Sequence, residues 1–566
     1  MCVESLKDTY DAIVVGTGIS GGWAAKELCE KGLKTLVLER GRMVEHIVDY
    51  PTMHLDPWDM ENGGETPAEV MAKYPKQSRW GFDETSRHFF NKDEDYDYDE
   101  VKRFDWIRGT QVGGRSLIWG KQTYRWSDLD FEANAKEGIG VDWPIRYKDI
   151  EPWYGYVEKH VGISGEALGL PQLPDSVFLK PMELNCAEEH LKKGILNSYE
   201  DRVLTIGRVA HITEGTKPGS GRGNCQFRNR CKRGCPYGAY FSSNSSTLPM
   251  AEATGNMTIR PNSIVFEVMY DKDKKKATGV RIVDADTKEV IEYKAKIIFL
   301  CASSMASTAI LMQSKSDAFP NGMGNASGEL GHNVMDHQLG GGATGKIDGF
   351  HDKYYTGRRP NGFYIPRFRN IDSKSAKVDF LRGYGYQGGA SRNDYGGIIA
   401  EYAYGEELKK SILEPGEWRI NLGGFGEVLP YHENHMFLDY EKLDKYGLPT
   451  IVFDAEFKEN EKLMKKDWII QAQEMLESAG FKDVEARNRK TYIGGGIHEM
   501  GTARMGHDPK TSVLNKYNQL HEVPNVYVTD GACMTSSANQ NPSLTYMALT
   551  ARAANHAVEE LKKLNL

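Results

Sequence analysis

The sequence lacks the features that mark membrane-spanning, exported and nucleic-acid-binding proteins. None of its apolar runs reaches the roughly eighteen residues that a membrane span needs, so we expect no integral membrane segment. The opening MCVESLKDTYD contains no apolar signal-peptide core, and we expect that the chain does not export itself. Basic residues are not in excess, since the formal net charge is -8, and this balance argues against a nucleic-acid partner.

Cysteine is also scarce. The chain has 8 cysteines among 566 residues, too few for a fold that depends on disulfides. Apolar residues make up 40% and charged residues 27%, which is typical of an ordinary globular protein and not of a fibre or a disordered chain. Because one core seldom serves a chain of this length, we expect two domains.

Glycine, by contrast, is abundant, and three glycines near the N-terminus lie in a βαβ pattern. Residues 11–15 form an apolar run, a glycine turn and a helical segment follow, and a second apolar run ends at Glu39. Gly16 makes the tight turn, Gly18 lets backbone N–H groups approach a pyrophosphate, and Gly21 lets helix and strand pack closely. Glu39 lies where an acid accepts hydrogen bonds from a ribose hydroxyl. The stretch predicts a dinucleotide site, with a plain glycine-rich turn as the alternative.

Two later segments carry small residues that suit the same site. RGTQVGGRSLIWG contains Gly113 and Gly114, which permit close backbone approach to a flat charged ligand, and Ser116, which adds a hydroxyl. Residues 297–301 form a buried apolar run that ends in small residues, and this strand would put more backbone beside the phosphate site.

The middle of the chain has a different pattern. Much of residues 330–489 alternates between apolar and polar side chains, which predicts antiparallel strands, and a helix is predicted over 459–479. Residues 46–99 are instead rich in proline, glycine, tyrosine and acidic residues. We interpret them as a solvated insertion, or as a lid over the active site or a docking surface.

Three cysteines cluster in GRGNCQFRNRCKRGCPYGAY. Cys225, Cys231 and Cys235 have C-x5-C-x3-C spacing, with arginines and a lysine between them and a proline after the last. Thiolates are soft ligands and the cations would offset cluster charge, so one hypothesis is an iron–sulfur cluster. The other is a loop with free or paired thiols, because three cysteines fall one short of the usual four ligands.

The C-terminal portion holds the candidate catalytic groups. His498 follows a glycine run, and Asp530 and Gly531 precede a loop and a helix. We predict Asn541 as the N-cap of that helix and Pro542 in its first turn. The positive end of the helix dipole would favour the anionic reduced form of a flavin bound there.

Together these motifs resemble the glucose-methanol-choline (GMC) flavin oxidoreductases, and the resemblance spans nearly the whole chain. The matching positions are the FAD fingerprint Gly16, Gly18, Gly21 and Glu39, the GG motif Gly113, Gly114 and Ser116, the H-x-x-G-T segment His498, Gly501 and Thr502, and the ending Asp530, Gly531, Asn541 and Pro542. Within the family, the cysteine stretch and TARMG are most similar to bacterial sugar dehydrogenases of the gluconate, glucose and glucoside 3-dehydrogenase kind.

The resemblance implies an α/β fold, α+β overall, with a Rossmann-like FAD-binding domain and an antiparallel-sheet substrate domain. We expect the FAD-binding domain at 1–45, 100–130, 250–330 and 490–566, the substrate domain at 131–249 and 331–489 with a cysteine-rich loop at 222–240, and the insertion or lid at 46–99. The expected FAD-binding residues are Gly16, Gly18, Ile19, Ser20, Gly21, Glu39, Arg40, Arg108, Gly109, Val112, Gly113, Gly114, Ser116, Val265, Ala302, Asp530, Gly531, Asn541, Pro542 and Ser543.

Two positions depart from the family pattern. Some relatives carry a histidine in the GG motif that bonds covalently to the flavin, and Ile118 stands there in this chain, so we expect non-covalent FAD. Relatives with an iron–sulfur cluster tend to begin the cysteine stretch with an adjacent pair, whereas Gln226 follows Cys225 here. Three ligands are still enough for a three-iron centre.

The implied reaction is oxidation of a secondary alcohol of a sugar or glycoside to a ketone. His498 is the candidate base because an imidazole titrates near neutral pH, Asn541 is the candidate donor to the substrate oxygen, and the flavin N5 would accept the hydride. Electrons would pass to a cluster, a cytochrome partner or a quinone. The alternatives are an oxidase that uses oxygen, a lyase that keeps FAD structurally, and a binding or electron-relay subunit.

The resemblance also bears on location. Relatives of this kind are often carried to the periplasm by a small partner subunit with its own signal, which would suit this chain. A cytoplasmic enzyme is the alternative.

Overall fold

The structure is a computed structural model that describes residues 4–79, 81–95, 98–215, 220–355, 357, 362–377, 379–392, 404–413 and 416–566. Parts of the predicted insertion, residues 80 and 96–97, lie outside the described residues, as do parts of the predicted substrate domain, among them residues 393–403.

Helices and strands are interspersed along the chain. The helices are α1 (Ile19–Glu30), α2 (Ala68–Met71), α3 (Asp128–Phe131), α4 (Ala133–Glu137), α5 (Tyr147–Val161), α6 (Cys186–Ser198), α7 (Thr247–Ala253), α8 (Ser304–Gln313), α9 (Gly405–Leu413), α10 (Glu459–Ser478) and α11 (Ser543–Lys562). The strands are β1 (Glu4–Val15), β2 (Thr35–Leu38), β3 (Asp99–Glu100), β4 (Ile163–Ser164), β5 (Phe178–Leu179), β6 (Thr205–Ile206), β7 (Val209–Ala210), β8 (Met257–Arg260), β9 (Ser263–Asp271), β10 (Lys276–Asp284), β11 (Val290–Leu300), β12 (Gly341–Ile347), β13 (Phe363–Ile365), β14 (Tyr384–Arg392), β15 (Trp418–Gly426), β16 (His435–Leu443), β17 (Pro449–Asp454), β18 (Lys482–Asn488) and β19 (Val526–Val528).

A seven-stranded sheet forms from the N-terminal, middle and C-terminal parts of the chain. Its order is β8-β2-β1-β11-β10-β9, and β19 also pairs with β11. The pairs among β8, β2, β1, β11 and β19 are parallel, and β9 and β10 add antiparallel strands. Residues 12–14 of β1 are fully buried, since helices such as α1 pack over the sheet, and α1 itself packs against α11 and α7. This is the Rossmann-like layer that the fingerprint predicts.

A six-stranded antiparallel sheet forms the second layer, with the order β18-β12-β15-β14-β13-β6. Helix α10 packs on β12, β15 and β18 and buries Trp468 completely. Glycines make room for the indole, because a Cβ at Gly341 or Gly424 would lie 2.2 Å or 2.6 Å from an atom of the Trp468 ring. The predicted fold class, a Rossmann-like domain with an antiparallel-sheet domain, is confirmed.

The β16–β17 hairpin follows the predicted alternation but does not join the six-stranded sheet. It pairs with β3 in a separate three-stranded sheet. Its tip reaches the end of the fingerprint, where a guanidinium nitrogen of Arg40 lies 3.7 Å from an Asp444 carboxylate oxygen and the Arg40 Cζ lies 5.7 Å from the Tyr446 ring centroid. The hairpin therefore belongs to the surroundings of the predicted dinucleotide site.

In the part of the chain that the structure describes, no helix combines the length and the apolar character that a membrane crossing requires.

Candidate active site

One cavity of about 480 Å³ brings most of the sequence-predicted residues together. It is lined by Gly16, Gly18, Ile19, Ser20, Glu39, Arg40, Arg108, Gly109, Gly114, Ser116, Val265, Ala302, His498, Asp530, Gly531, Asn541 and Ser543. Four other predicted residues, Gly21, Val112, Gly113 and Pro542, lie behind this lining and not on it. The cavity also contacts groups that the sequence did not single out, among them Arg115, Gln387 and Tyr446.

The glycine turn is tight because helix α1, strand β1 and the end of β11 meet there. Gly16 has a φ of +96°, and a Cβ on it would lie 2.4 Å from the Cys301 carbonyl oxygen. A Cβ on Gly21 would lie 1.9 Å from the Gly16 carbonyl oxygen. No larger residue fits at either position without moving backbone. Helix α1 begins just after Gly18, so its first N–H groups face the cavity without partners inside the helix.

Thr17 joins the fingerprint to the GG motif, a role that the sequence did not suggest. Its backbone N–H donates to Glu39 Oε2 at 3.0 Å, and its hydroxyl donates to the same oxygen. The Gly113 N–H donates to the Thr17 hydroxyl at 2.9 Å. Burial raises the pKa of Glu39 to about 7, although the Thr17 hydrogen bonds act in the opposite direction.

A serine-rich segment, residues 242–246, holds the GG motif from the other side. The Ser243 N–H donates to the Ser116 hydroxyl at 3.0 Å, which in turn donates to the Gly113 carbonyl oxygen at 2.6 Å. The Ser243 hydroxyl donates to the Gly18 carbonyl oxygen at 3.0 Å. Sequence reasoning missed this segment, and its only signal was the FSSNSS run itself.

At the other end of the cavity, His498 and Asn541 lie side by side. His498 Nε2 is 3.5 Å from Asn541 Nδ2, and His498 Nδ1 is 3.0 Å from His337 Nδ1. Burial, together with His337 and Arg115, holds the pKa of His498 well below its usual range, so the imidazole is neutral near pH 7. The pair offers a proton acceptor and an amide donor to one point in the cavity.

The backbone of His498 is fixed by a carboxylate. Asp336 Oδ1 accepts the His498 N–H at 2.9 Å, and Asp336 Oδ2 accepts the N–H groups of Gly494 and Gly496, each at 2.8 Å. The glycine run that precedes the histidine is therefore held in place. Asp336 was not predicted, because nothing in the sequence ties residue 336 to residue 498.

The start of α11 corrects one prediction. Asn541 was expected as the N-cap, but the helix begins at Ser543 with Pro542 in the cap position and no capping side chain. The Asn541 amide is used elsewhere, since its Oδ1 accepts from Gln387 Nε2 at 2.6 Å. The predicted contact of the helix N-terminus with the cavity remains, because Asn541 and Ser543 both line it.

An arginine–glutamate pair lies beside the catalytic candidates. Arg115 donates to Glu499 through both terminal nitrogens, at 3.0 Å and 2.6 Å. The Tyr546 hydroxyl also reaches this region and, among the residues described, finds no hydrogen-bond partner. A polar group left unpaired on the cavity wall fits a bound ligand that carries acceptors, as the ring of a flavin does.

The cysteine loop was predicted to hold either an iron–sulfur cluster or free or paired thiols. Cys225, Cys231 and Cys235 are free and line a separate cavity of about 30 Å³. In the described ranges, no three or more histidine, cysteine, aspartate or glutamate side chains are grouped to hold a metal ion. Burial raises the pKa of the Cys231 thiol to about 12, so without a bound metal ion this thiol is protonated at neutral pH. The iron–sulfur prediction is not supported.

Comparison with known proteins agrees with this architecture. Family models described as GMC oxidoreductase match residues 10–339 and 430–550. Two curated relatives are a 2-methyl-1,2-propanediol dehydrogenase of Mycolicibacterium austroafricanum, 28% identical with 97% of this chain and 95% of the relative covered, and the fructose dehydrogenase large subunit of Gluconobacter japonicus, 25% identical with 98% of each covered. Among solved structures, a formate oxidase variant of Aspergillus oryzae superposes with a TM-score of 0.63 at 15% identity over 100% of both chains.

Proposed function

Because the chain belongs to the GMC oxidoreductase family, whose members bind FAD and act on CH–OH groups, we propose that it oxidises a secondary alcohol of a sugar or glycoside to a ketone. The proposed activity is that of a glucoside 3-dehydrogenase. The relative named for fructose supports a sugar substrate. In this chain, the structural support for the proposal comes from the site around His498.

The observation that carries the proposal is the pairing of a neutral imidazole with an amide donor at one end of the cavity. The substrate hydroxyl donates its proton to His498 Nε2, and the Asn541 Nδ2–H group donates to the same oxygen as negative charge develops on it. Bound FAD supplies the acceptor for the hydride that leaves the substrate carbon. The electron pair of the broken O–H bond stays on the oxygen and forms the second carbon–oxygen bond of the ketone as the hydride leaves.

The residues that would hold FAD are spread along the cavity. The glycine turn and the first N–H groups of α1 suit the pyrophosphate, and Glu39 suits a ribose hydroxyl. Ser543 and the Tyr546 hydroxyl suit the ring at the start of α11. Ile118 lines the cavity and offers no nucleophile, so the proposed attachment is non-covalent.

For the electron acceptor, we propose a group other than oxygen, reached on the side of the cysteine loop. Lys121 lines the FAD cavity, burial lowers its pKa to about 7, and Cys231 and Cys235 lie close enough to influence that pKa, so the two cavities are neighbours. A cluster bound by the three thiolates is one form of this proposal. Iron and sulfide in anaerobically purified protein, lost in Cys231→Ser, would support it, and their absence would leave the thiols structural.

The partner and the location complete the proposal. A small partner subunit would carry the chain to the periplasm, in keeping with a relative that is itself named a large subunit. Co-expression with candidate partners and fractionation of the cells would decide between this location and the cytoplasm.

The test is anaerobic reduction of the flavin by a panel of sugars, glycosides and simple diols. We expect a glycoside to bleach the flavin peaks, and His498→Ala to slow bleaching by about 10²- to 10⁴-fold. His507→Ala is the matched control, because His507 is exposed and is not one of the residues that line the cavity. Fast recovery of the peaks in air would identify an oxidase, and a flavin that no alcohol bleaches would point to a lyase.

A further inference from the structure

A chain of hydrogen bonds runs from the backbone to the proposed base, and its direction is fixed at one end. His337 Nε2 lies 2.6 Å from the Ala538 carbonyl oxygen. A carbonyl oxygen can only accept a hydrogen bond, so Nε2 of His337 must carry the hydrogen. His337 is completely buried, and burial lowers its pKa to about 4, so the ring is neutral. Its Nδ1 is therefore the unprotonated nitrogen.

That assignment determines the tautomer of the next ring. His498 Nδ1 lies 3.0 Å from His337 Nδ1. Since the His337 nitrogen can only accept, His498 Nδ1 must donate and so carries the hydrogen. In a neutral His498 the lone pair is then on Nε2, the nitrogen that faces Asn541 and the cavity.

The hydrogen bonds on the Asn541 side of His498 run in the same direction as those on the His337 side. Gln387 Nε2 donates to Asn541 Oδ1 at 2.6 Å, which turns the Asn541 Nδ2 group toward His498. The roles of Ala538, His337, His498, Asn541 and Gln387 are thus mutually consistent. The contact between His498 and Asn541 is the longest of the series, at 3.5 Å. A substrate hydroxyl can donate to His498 Nε2 and accept from Asn541 Nδ2 at the same time.

We propose that His337 is a positioning residue that sets the tautomer of His498, so that Nε2 presents its lone pair to the substrate hydroxyl. The inference rests on the proposed function and deepens it. His337 does not touch the substrate, and it lies outside the residues that line the cavity. It acts through the ring of His498.

The charged groups around His337 and His498 are bound to other partners, so His337 is the acceptor for His498 Nδ1. The Asp336 carboxylate is engaged by backbone N–H groups, and the Arg115 guanidinium is engaged by Glu499. Phe425 adds an uncharged ring near both imidazoles, with centroid distances of 5.9 Å to His337 and 6.5 Å to His498. The carboxylate that orients the histidine in many hydrolases is replaced here by a second, neutral imidazole.

The arrangement also determines where the substrate proton stays. Once Nε2 accepts that proton, His498 is an imidazolium whose Nδ1–H bond to His337 becomes charge-assisted. The hydrogen on His337 Nε2 cannot move on, because a backbone carbonyl does not accept a proton at neutral pH. The proton therefore remains on His498 until it leaves by way of the cavity.

Three holoenzyme variants test the proposal. His337→Leu removes the acceptor, and we expect flavin reduction to slow by about 10²-fold or more, with a changed pH profile. His337→Asn places an amide oxygen where Nδ1 was, and we expect it to recover most of the rate. His332→Leu is the matched control, since its ring stacks on His432 and is not part of the cavity lining. Wild-type rate in His337→Leu would overturn the proposal, as would equal losses in the Leu and Asn variants.

A second readout needs no substrate and so separates this proposal from the function. Multiple-bond ¹H–¹⁵N NMR of histidine-labelled holoenzyme reports the tautomer of each ring, with His498 assigned by His498→Gln. We expect His498 protonated at Nδ1 in the wild type and a shift toward the Nε2–H form in His337→Leu. His498 protonated at Nε2 in the wild type would contradict the proposal even if sugars bleach the flavin. The expected tautomer without bleaching by any alcohol would contradict the proposed function and leave the positioning role intact.

Discussion

Glu39 shows how a single buried residue ties stability to pH. Burial raises its pKa from 4.5 to about 7 in the folded protein. A carboxyl group whose folded-state pKa is the higher one stabilises the fold while it is protonated, below about pH 4.5. That contribution declines as the pH rises through 7, because ionisation then favours the unfolded chain.

Glu39→Gln removes this titration. We expect the unfolding free energy of the variant, minus that of the wild type, to increase between pH 4.5 and 8 and then to level off. Urea unfolding of flavin-free protein at several pH values measures the difference. Glu45→Gln, at an exposed glutamate of the same segment, controls for the loss of a carboxylate. A difference that falls with rising pH would contradict the assignment.

Single residues also show how far the sequence could predict the site. His498 and Asn541 are embedded in motifs, and the sequence identifies them as candidates. His337 is 161 residues away from His498 and Gln387 is 154 residues away from Asn541. No periodicity or spacing connects such pairs, because only the packing of the two sheets brings them together. These contacts exist only in the folded protein.

At the scale of elements, the six-stranded sheet depends on the size of the residues beneath α10. Gly424 and Gly423 are neighbours on β15, but they face opposite sides of the sheet. A Cβ on Gly424 would lie 2.6 Å from the Trp468 ring, whereas a Cβ on Gly423 would meet its nearest neighbour, the Gln387 carbonyl oxygen, at an ordinary 3.5 Å.

The two alanine variants make a matched pair. Both lose the same backbone freedom in the unfolded chain, so that effect cancels between them. We expect Gly424→Ala to be less stable than Gly423→Ala by about 1–3 kcal/mol, because the added methyl group displaces the indole. Denaturant unfolding followed by tryptophan fluorescence measures the difference. Equal stabilities would show that Trp468 moves aside at little cost.

Elements were easier to predict than their partners. Alternating patterns predicted the strands of 418–454, and α10 was predicted within one residue of its observed end. The pattern could not show that β16 and β17 pair with β3, because alternation records which face of a strand is buried and not which strand lies beside it. The start of α11 was misplaced because Asn541 is a good cap by residue type but bonds to Gln387.

At the scale of the whole molecule, the cysteine loop fastens a distant segment. Arg233 donates to the Leu55 carbonyl oxygen at 2.7 Å, and Arg230 donates to the His54 carbonyl oxygen at 2.9 Å. Arg230 also pairs with Asp56. Segment 53–56 therefore depends on side chains that lie about 175 residues later in the chain.

Removing one of these arginines should loosen that segment. We expect Arg233→Ala to be cleaved faster than wild type within residues 50–65 under limited proteolysis, with fragments identified by mass spectrometry. Lys232→Ala is the control, because the Lys232 side chain is exposed and adjacent. Identical cleavage of both variants would show that the other contacts are sufficient.

The position of β19 has a consequence for how the protein acquires its cofactor in the cell. This short strand, residues 526–528, pairs with β11, which itself lies beside β1. The fingerprint leaves the ribosome well before β19, but its sheet is complete only once β19 has been synthesised. Long-range pairing of this kind forms late. Flavin loading is therefore expected only after β19 has been synthesised, and a stalled nascent chain that ends before residue 526 should emerge without bound flavin.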